Sequence, residues 1–224
     1  MSIKDFLISC IFPKRCAICD EVINYNDEVC NCCVAEFPAN SSVRCIPYAE
    51  SDEVYRCFSP FIYRGKLREV LLRFKFHNHT KCVNFFSREI AKKLCSSCDV
   101  STVDYICFVP MTEKSTLERG YNQSEILAKS LGKCMGIPVK DVLSKVRETP
   151  VQHSLSAKAR ERNLFSSFSL REGTEVKNKN FILCDDIITT GSTLKECLRV
   201  LKNGGADNVI CCTIAASAGT DFRI

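Results

Sequence analysis

Phe181-Ile182-Leu183-Cys184-Asp185-Asp186-Ile187-Ile188-Thr189-Thr190-Gly191-Ser192-Thr193 decides the fold. Four apolar residues in a row predict a strand covered on both faces, the habit of a central parallel strand, and residues 193–201 predict the helix after it. The polar residues therefore fall where strand gives way to helix. Open α/β sheets take ligands at that carboxyl edge, where a loop of small residues can aim backbone N–H groups and a helix N-terminus at one phosphate. Thr189, Thr190, Gly191, Ser192 and Thr193 suit that task. Adjacent carboxylates are costly unless they meet hydroxyls, a metal or cations, and two vicinal ribose hydroxyls are natural partners. Asp185 and Asp186 are thus candidate sugar ligands; the plainer alternative is that they cap the loop and Gly191 makes the turn.

Outward from this stretch the pattern recurs. Asp104-Tyr105-Ile106-Cys107-Phe108-Val109-Pro110 is an apolar run halted by a residue with no N–H for a ladder, which predicts a buried strand parallel to residues 181–184. A polar loop over residues 111–121 leads to a helix from near Asn122, with Ile126, Leu127 and Leu131 apolar. Residues 67–76 read as helix, and residues 208–215 as a strand after Gly204-Gly205, a typical helix stop. Residues 146–164 carry Arg147, Gln152, His153, Lys158, Arg160 and Arg162, too polar for core and long enough for a mobile cover. Taken alone, residues 156–164 fit a solvated surface helix better.

A chain of 224 residues has room for one full core and a small appendage. With no secretory leader, no run of about 18 apolar residues and no low-complexity tract, it is expected to be soluble and cytoplasmic. The 17 cysteines are an odd number, and many, such as Cys107, Cys134, Cys184, Cys197, Cys211 and Cys212, sit singly in apolar runs. That usage fits a reducing compartment and excludes a disulfide scaffold. A net charge of +5, from 31 basic and 26 acidic side chains, permits a polyanionic partner without demanding one.

Cys16-Ala17-Ile18-Cys19 and Cys30-Asn31-Cys32-Cys33 form two knuckles across a polar loop. Four thiolates at Cys16, Cys19, Cys30 and Cys33 suit tetrahedral zinc, and so small a segment has too few apolar residues to fold unaided. A closed four-sulfur site would be structural, since no position stays open for water. The plainer alternative is a set of reduced packing cysteines. Cys32 is left over, Cys45 and Cys57 read as packing residues, and His77-Asn78-His79 with Cys82 reads as the polar exit of a helix and not as a second metal site. One zinc per chain is expected.

The whole stretch 181–193 resembles the phosphoribosyl-pyrophosphate (PRPP) signature of type I phosphoribosyltransferases. The resemblance implies Asp185 and Asp186 on the ribose 2′- and 3′-hydroxyls and Thr189, Thr190, Gly191, Ser192 and Thr193 around the 5′-phosphate. Further blocks resemble the ComF (ComFC) competence proteins: the double cysteine knuckle; Tyr63-Arg64-Gly65-Lys66-Leu67-Arg68 leading to Phe74-Lys75-Phe76; Val109-Pro110 with Glu118-Arg119-Gly120-Tyr121-Asn122-Gln123; and Arg147-Glu148-Thr149-Pro150-Val151-Gln152 with Leu155-Ser156, Arg160 and Asn163. Together they span almost the whole chain. They imply an α/β protein: a small N-terminal helix and zinc-binding module over residues 1–58, and a type I phosphoribosyltransferase-like parallel sheet with flanking helices over residues 59–224. Members of this family usually carry several arginines before the Arg-Gly-Tyr-Asn-Gln block; here Ser115, Thr116 and Leu117 come after Lys114, leaving Lys114 and Arg119 in that loop.

The resemblance implies three candidate functions. The first is a cytoplasmic handler of incoming single-stranded DNA in natural transformation, with a PRPP-like site, contacts to pyrophosphate or DNA from Lys114, Arg119, Arg147, Lys158 and Arg160, and Tyr63, Tyr121 or Phe165 as candidates to stack on bases, the plainer alternative for each being a core residue. The alternative is an active phosphoribosyltransferase using PRPP with Mg²⁺ on an unknown acceptor; no nucleobase pocket is announced and no catalytic residue stands out. A third is a scaffold whose zinc module docks a competence helicase or DNA-processing protein. Glutamine amidotransferase chemistry is not expected, because it needs an N-terminal cysteine and this chain begins Met1-Ser2.

Overall fold

The computed structural model describes residues 13–48, 53–76, 80–147 and 167–217. Residues 1–12, His77 to His79, the segment with Lys158 and Arg160, and Phe165 lie outside the described residues.

Stretch 181–193 organises the molecule. β7 (Phe181–Ile188) lies between β8 (Val209–Ala216) and β4 (Tyr105–Phe108), parallel to both. Tyr105 pairs with Phe181 and Phe108 with Cys184, in the register that the two apolar runs suggest. Beyond β8 the sheet continues into β2 (Val54–Phe58) and antiparallel β1 (Val43–Pro47), while β3 (Phe61–Ile62) also pairs with β8. The sheet therefore takes strands from both sides of residue 58.

Side chains alternate across the strand, as the pleat requires. Ile182 and Cys184 enter a core with Leu67, Phe74, Phe86, Ile90 and Leu127; Phe181 and Leu183 enter one with Leu194, Leu198 and Leu201. The first layer comes from α2 (Gly65–Phe76), α3 (Val83–Ser97) and α5 (Gln123–Met135). In α2 the buried residues are Leu67, Val70, Leu71 and Phe74, the spacing of one helix face. The second layer is α6 (Ser192–Asn203), beside a hairpin of β5 (Leu143–Lys145) and β6 (Phe168–Leu170).

The cysteine segment holds α1 (Asn31–Ala35) and packs on α2 and α3. Phe37 carries much of the join, its ring centroid 5.6, 6.1 and 6.2 Å from those of Phe61, Phe85 and Phe86. Arg73 donates to the Ile18 carbonyl, and Arg88 pairs with Glu28 at 2.9 Å.

The strand runs further than its apolar residues. β8 offers a ladder as far as Ala216, so β7 stays paired through Asp185 opposite Thr213 and on to Ile188 opposite Ala216. Helix begins only at Ser192. Gly191, at φ +80°, is the N-cap, in a left-handed conformation that glycine adopts without steric cost.

Candidate functional site at the carboxyl edge

Because β4 and β7 are parallel neighbours, the loops that leave their carboxyl ends meet at one edge. After β4 the chain forms α4 (Glu113–Arg119), capped by Thr112 and ended by Gly120, and then α5. Asn122 secures this return: its Nδ2 donates to the Val109 carbonyl at 3.0 Å and its Oδ1 accepts from the Ser124 amide. Ser124 Oγ then donates to Asp185 Oδ1 at 2.8 Å, joining the start of α5 to the end of β7.

The two carboxylates have different surroundings. Asp185 is partly buried and accepts from Ser124 and from the Asp186 amide. Burial first, and then the neighbouring Asp186 charge, push its carboxyl up to about 7 against those hydrogen bonds and Lys75. Asp186, only 8% exposed, accepts from the Ile187 amide at 2.8 Å and has Lys75 Nζ 3.6 Å from its Oδ2.

The loop after β7 carries the small polar residues. Thr190 and Ser192 hydroxyls lie 2.8 Å apart, and the Ser192 amide donates to Thr190 Oγ1. Arg44 of β1 and Ser217 both donate to the Thr189 carbonyl. The start of α6 also carries the positive end of the helix dipole, where anions are generally favoured.

Asp185, Asp186, Thr189, Thr190, Gly191, Ser192 and Thr193 thus share one edge. Lys114 is exposed on α4; Arg119 lies 5.2 Å over the ring of Phe76, itself 57% exposed; and Arg147 is exposed after β5. Tyr121 packs against the core and its hydroxyl donates to the Phe74 carbonyl, while Tyr63 also packs on the core, so both side with structure over stacking. Lys75, Ser124 and Arg44 were missed as site residues. Only Lys75 left a signal, as a cation between Phe74 and Phe76 at the end of a helix; Ser124 and Arg44 arrive by tertiary pairing. A depression of about 500 Å³ lies at the opposite edge, by the amino ends of β2 and β8, between Tyr55, Arg56, Lys202 and Asp207, away from the carboxylates.

In the cysteine module the sulfurs of Cys16, Cys19, Cys30 and Cys33 all lie within 4.8 Å of one another, a cluster that could hold a metal ion. Cys19 and Cys30 are 3.7 Å apart, close to the ~3.8 Å between ligands of a tetrahedral ion with ~2.3 Å metal–sulfur bonds. Amides of Ile18 and Cys30 donate to Cys16, and that of Cys33 to Cys30. Burial opposes the Cys16 thiolate, yet amide hydrogen bonds outweigh it and bring the thiol down to about 7, whereas Cys19 is raised and burial with the neighbouring sulfurs pushes Cys33 well up. Cys32 is exposed outside the cluster, and Cys57 is buried in the sheet, where burial pushes its thiol up.

A parallel sheet with this edge defines a type I phosphoribosyltransferase fold, and the family described as "Phosphoribosyl transferase domain" matches residues 117–223. The chain is 28% identical over 200 residues to DNA utilization protein YhgH of Salmonella typhimurium, covering 87% of this chain and 86% of that protein. It is 28% identical over 207 residues to competence protein F of Haemophilus influenzae, covering 88% and 82%. Adenine phosphoribosyltransferase from Thermoanaerobacter pseudethanolicus is a more distant likeness, 14% identical with a TM-score of 0.40 over 78% of this chain and 93% of that one. Over most of its length the chain is thus similar to proteins named for competence and DNA utilization, and its C-terminal part matches a phosphoribosyltransferase domain.

Proposed function

We propose that this protein handles incoming single-stranded DNA in the cytoplasm during natural transformation, using the carboxyl edge of its sheet as a site for phosphorylated ribose. The observation that carries this reading is the convergence at that edge: Ser124 joins the start of α5 to Asp185, beside Asp186 and the start of α6. The carboxylates would take vicinal ribose hydroxyls, and Thr189, Thr190, Gly191, Ser192 and Thr193 the 5′-phosphate. Relatives named for competence and DNA utilization supply the DNA connection.

Lys114, Arg119 and Arg147, with Lys158 and Arg160, would contact the strand or a pyrophosphate. Zinc on Cys16, Cys19, Cys30 and Cys33 would be structural, and the module, docked on α2 and α3, is also where a competence helicase or DNA-processing protein would bind. Among the described residues no helix is long and apolar enough to cross a membrane.

The test is oligonucleotide binding against salt. Single-stranded DNA should bind with an affinity that falls as salt rises, and neutralising two or three of the five cations should flatten the log–log slope by about 0.7 per lost phosphate contact. An unchanged slope, or equal binding of duplex and single strand by the zinc module alone, would favour the scaffold. A second reading, an active phosphoribosyltransferase, draws support from the domain match over the signature. Mg²⁺ would then bridge pyrophosphate and ribose oxygens of PRPP, and pyrophosphate release would distinguish turnover from binding.

A further inference from the structure

We infer that Lys75 is a ligand-binding residue of the carboxyl-edge site, a cation built in by the fold that takes an oxygen of the second anionic group of a phosphorylated ribose. This rests on the reading of that edge as a ribose-phosphate site.

Lys75 is placed there by a short run of α5 and the loop before it. The carbonyls at the end of α2 have no partner within their helix. Tyr121 donates its hydroxyl to the Phe74 carbonyl, and Gln123 donates Nε2 to the Lys75 carbonyl at 3.0 Å. Asn122, between them, is tied to Val109 at the end of β4, and Ser124, next in line, to Asp185. Four consecutive residues therefore bind the end of α2, the end of β4 and the carboxylate pair to one another. Phe74, fully buried beneath, stops the helix end from sliding.

The ammonium delivered by this clamp is not consumed by it. Nζ stands 3.6 Å from Asp186 Oδ2, close enough to offset its charge but beyond hydrogen-bond length, and the side chain keeps 32% of its exposure. An ammonium has three donors, so it can face Asp186 and still bind a phosphate oxygen. On that reading the start of α6 would take the 5′-phosphate and the carboxylates the ribose hydroxyls. A cation beside Asp186 therefore suits an anionic group on the far side of the sugar, which PRPP has and ribose 5-phosphate lacks.

The experiment is calorimetric titration of the metal-replete full chain with PRPP and with ribose 5-phosphate, each with and without Mg²⁺, for the native protein, Lys75→Gln and Lys75→Arg. Losing one charge-assisted contact should weaken PRPP binding about 10-fold or more in Lys75→Gln, with a smaller loss for ribose 5-phosphate and most of the PRPP affinity restored in Lys75→Arg. If the native protein binds PRPP and Lys75→Gln binds it within about twofold, the role of Lys75 is overturned while the site reading stands. If the native protein binds neither compound with or without Mg²⁺, the site reading falls and this inference with it.

Discussion

The cysteine module and the carboxyl edge of the sheet each crowd acidic groups together, and they differ in what surrounds those groups. Four sulfurs lie within 4.8 Å of one another, with amides aimed at two of them. Those donors stabilise thiolates, and Lys66, paired with Glu36 at 2.7 Å, also reaches Cys33. At the edge, Asp185 has the Ser124 hydroxyl and Asp186 has Lys75, all supplied by the chain. On the proposed reading an ion would complete the first region, whereas the second is assembled by the chain's own contacts and would then take a ligand.

Removing metal should produce the largest effect. Structural zinc contributes about 10–16 kcal/mol to folding in small peptide modules. About one Zn²⁺ per chain is expected by elemental analysis. Cys16→Ser should raise amide exchange across residues 13–37 while the sheet stays protected. Protein freshly purified under reduction and lacking zinc would erase the contrast between the regions.

The double change Asp185→Ala with Asp186→Ala should come next, lowering PRPP affinity about 100-fold or more in calorimetry while the circular dichroism spectrum is retained, since β7 is held by its backbone ladder even when the Ser124 and Lys75 contacts are lost. Retained affinity would mean that the edge is not a sugar site.

Gly191→Val probes the loop between them and the helix. A Cβ there would meet Ile188 at 3.6 Å and Ile46 at 3.9 Å, ordinary contacts, so the damage comes from holding a β-branched residue at φ +80°. Tm should drop by about 4–8 °C for each 1 kcal/mol lost in a small domain, somewhat less in a chain this long, and phosphate affinity should fall with it.

The smallest effect concerns Asp185. Its folded pKa, up to about 7, exceeds the ordinary value near 3.9, so the folded state favours the protonated form. The resulting stability is complete below about pH 4 and is lost as pH rises through 7. Asp185→Asn should flatten that decline, leaving ligand-free variant and native protein alike near pH 4 and the variant more stable above pH 7, by about 1 kcal/mol once the weakened Ser124 bond is counted. A parallel pH profile for the two proteins in thermal melts would show that the carboxyl ionises at no cost.

The parallel strands were legible in the order of amino acids alone, because a run such as Phe181 to Cys184, apolar at every position, has no face to give to water and must be buried on both. So were the cysteine cluster, where ligand spacing is local, and the glycine turn. The end of β7 was not, since the paired length depends on how far β8 runs beside it. Nor were Ser124, Arg44 and Lys75 at the site, which lie 61, 145 and 111 residues from Asp185, Thr189 and Asp186 in turn. Hydrophobic period and ligand spacing are properties of neighbouring residues and can be read along the chain. The partner of a buried charge is chosen by packing, and only the clamp of Tyr121 and Gln123 on the end of α2 decided that this partner would be Lys75.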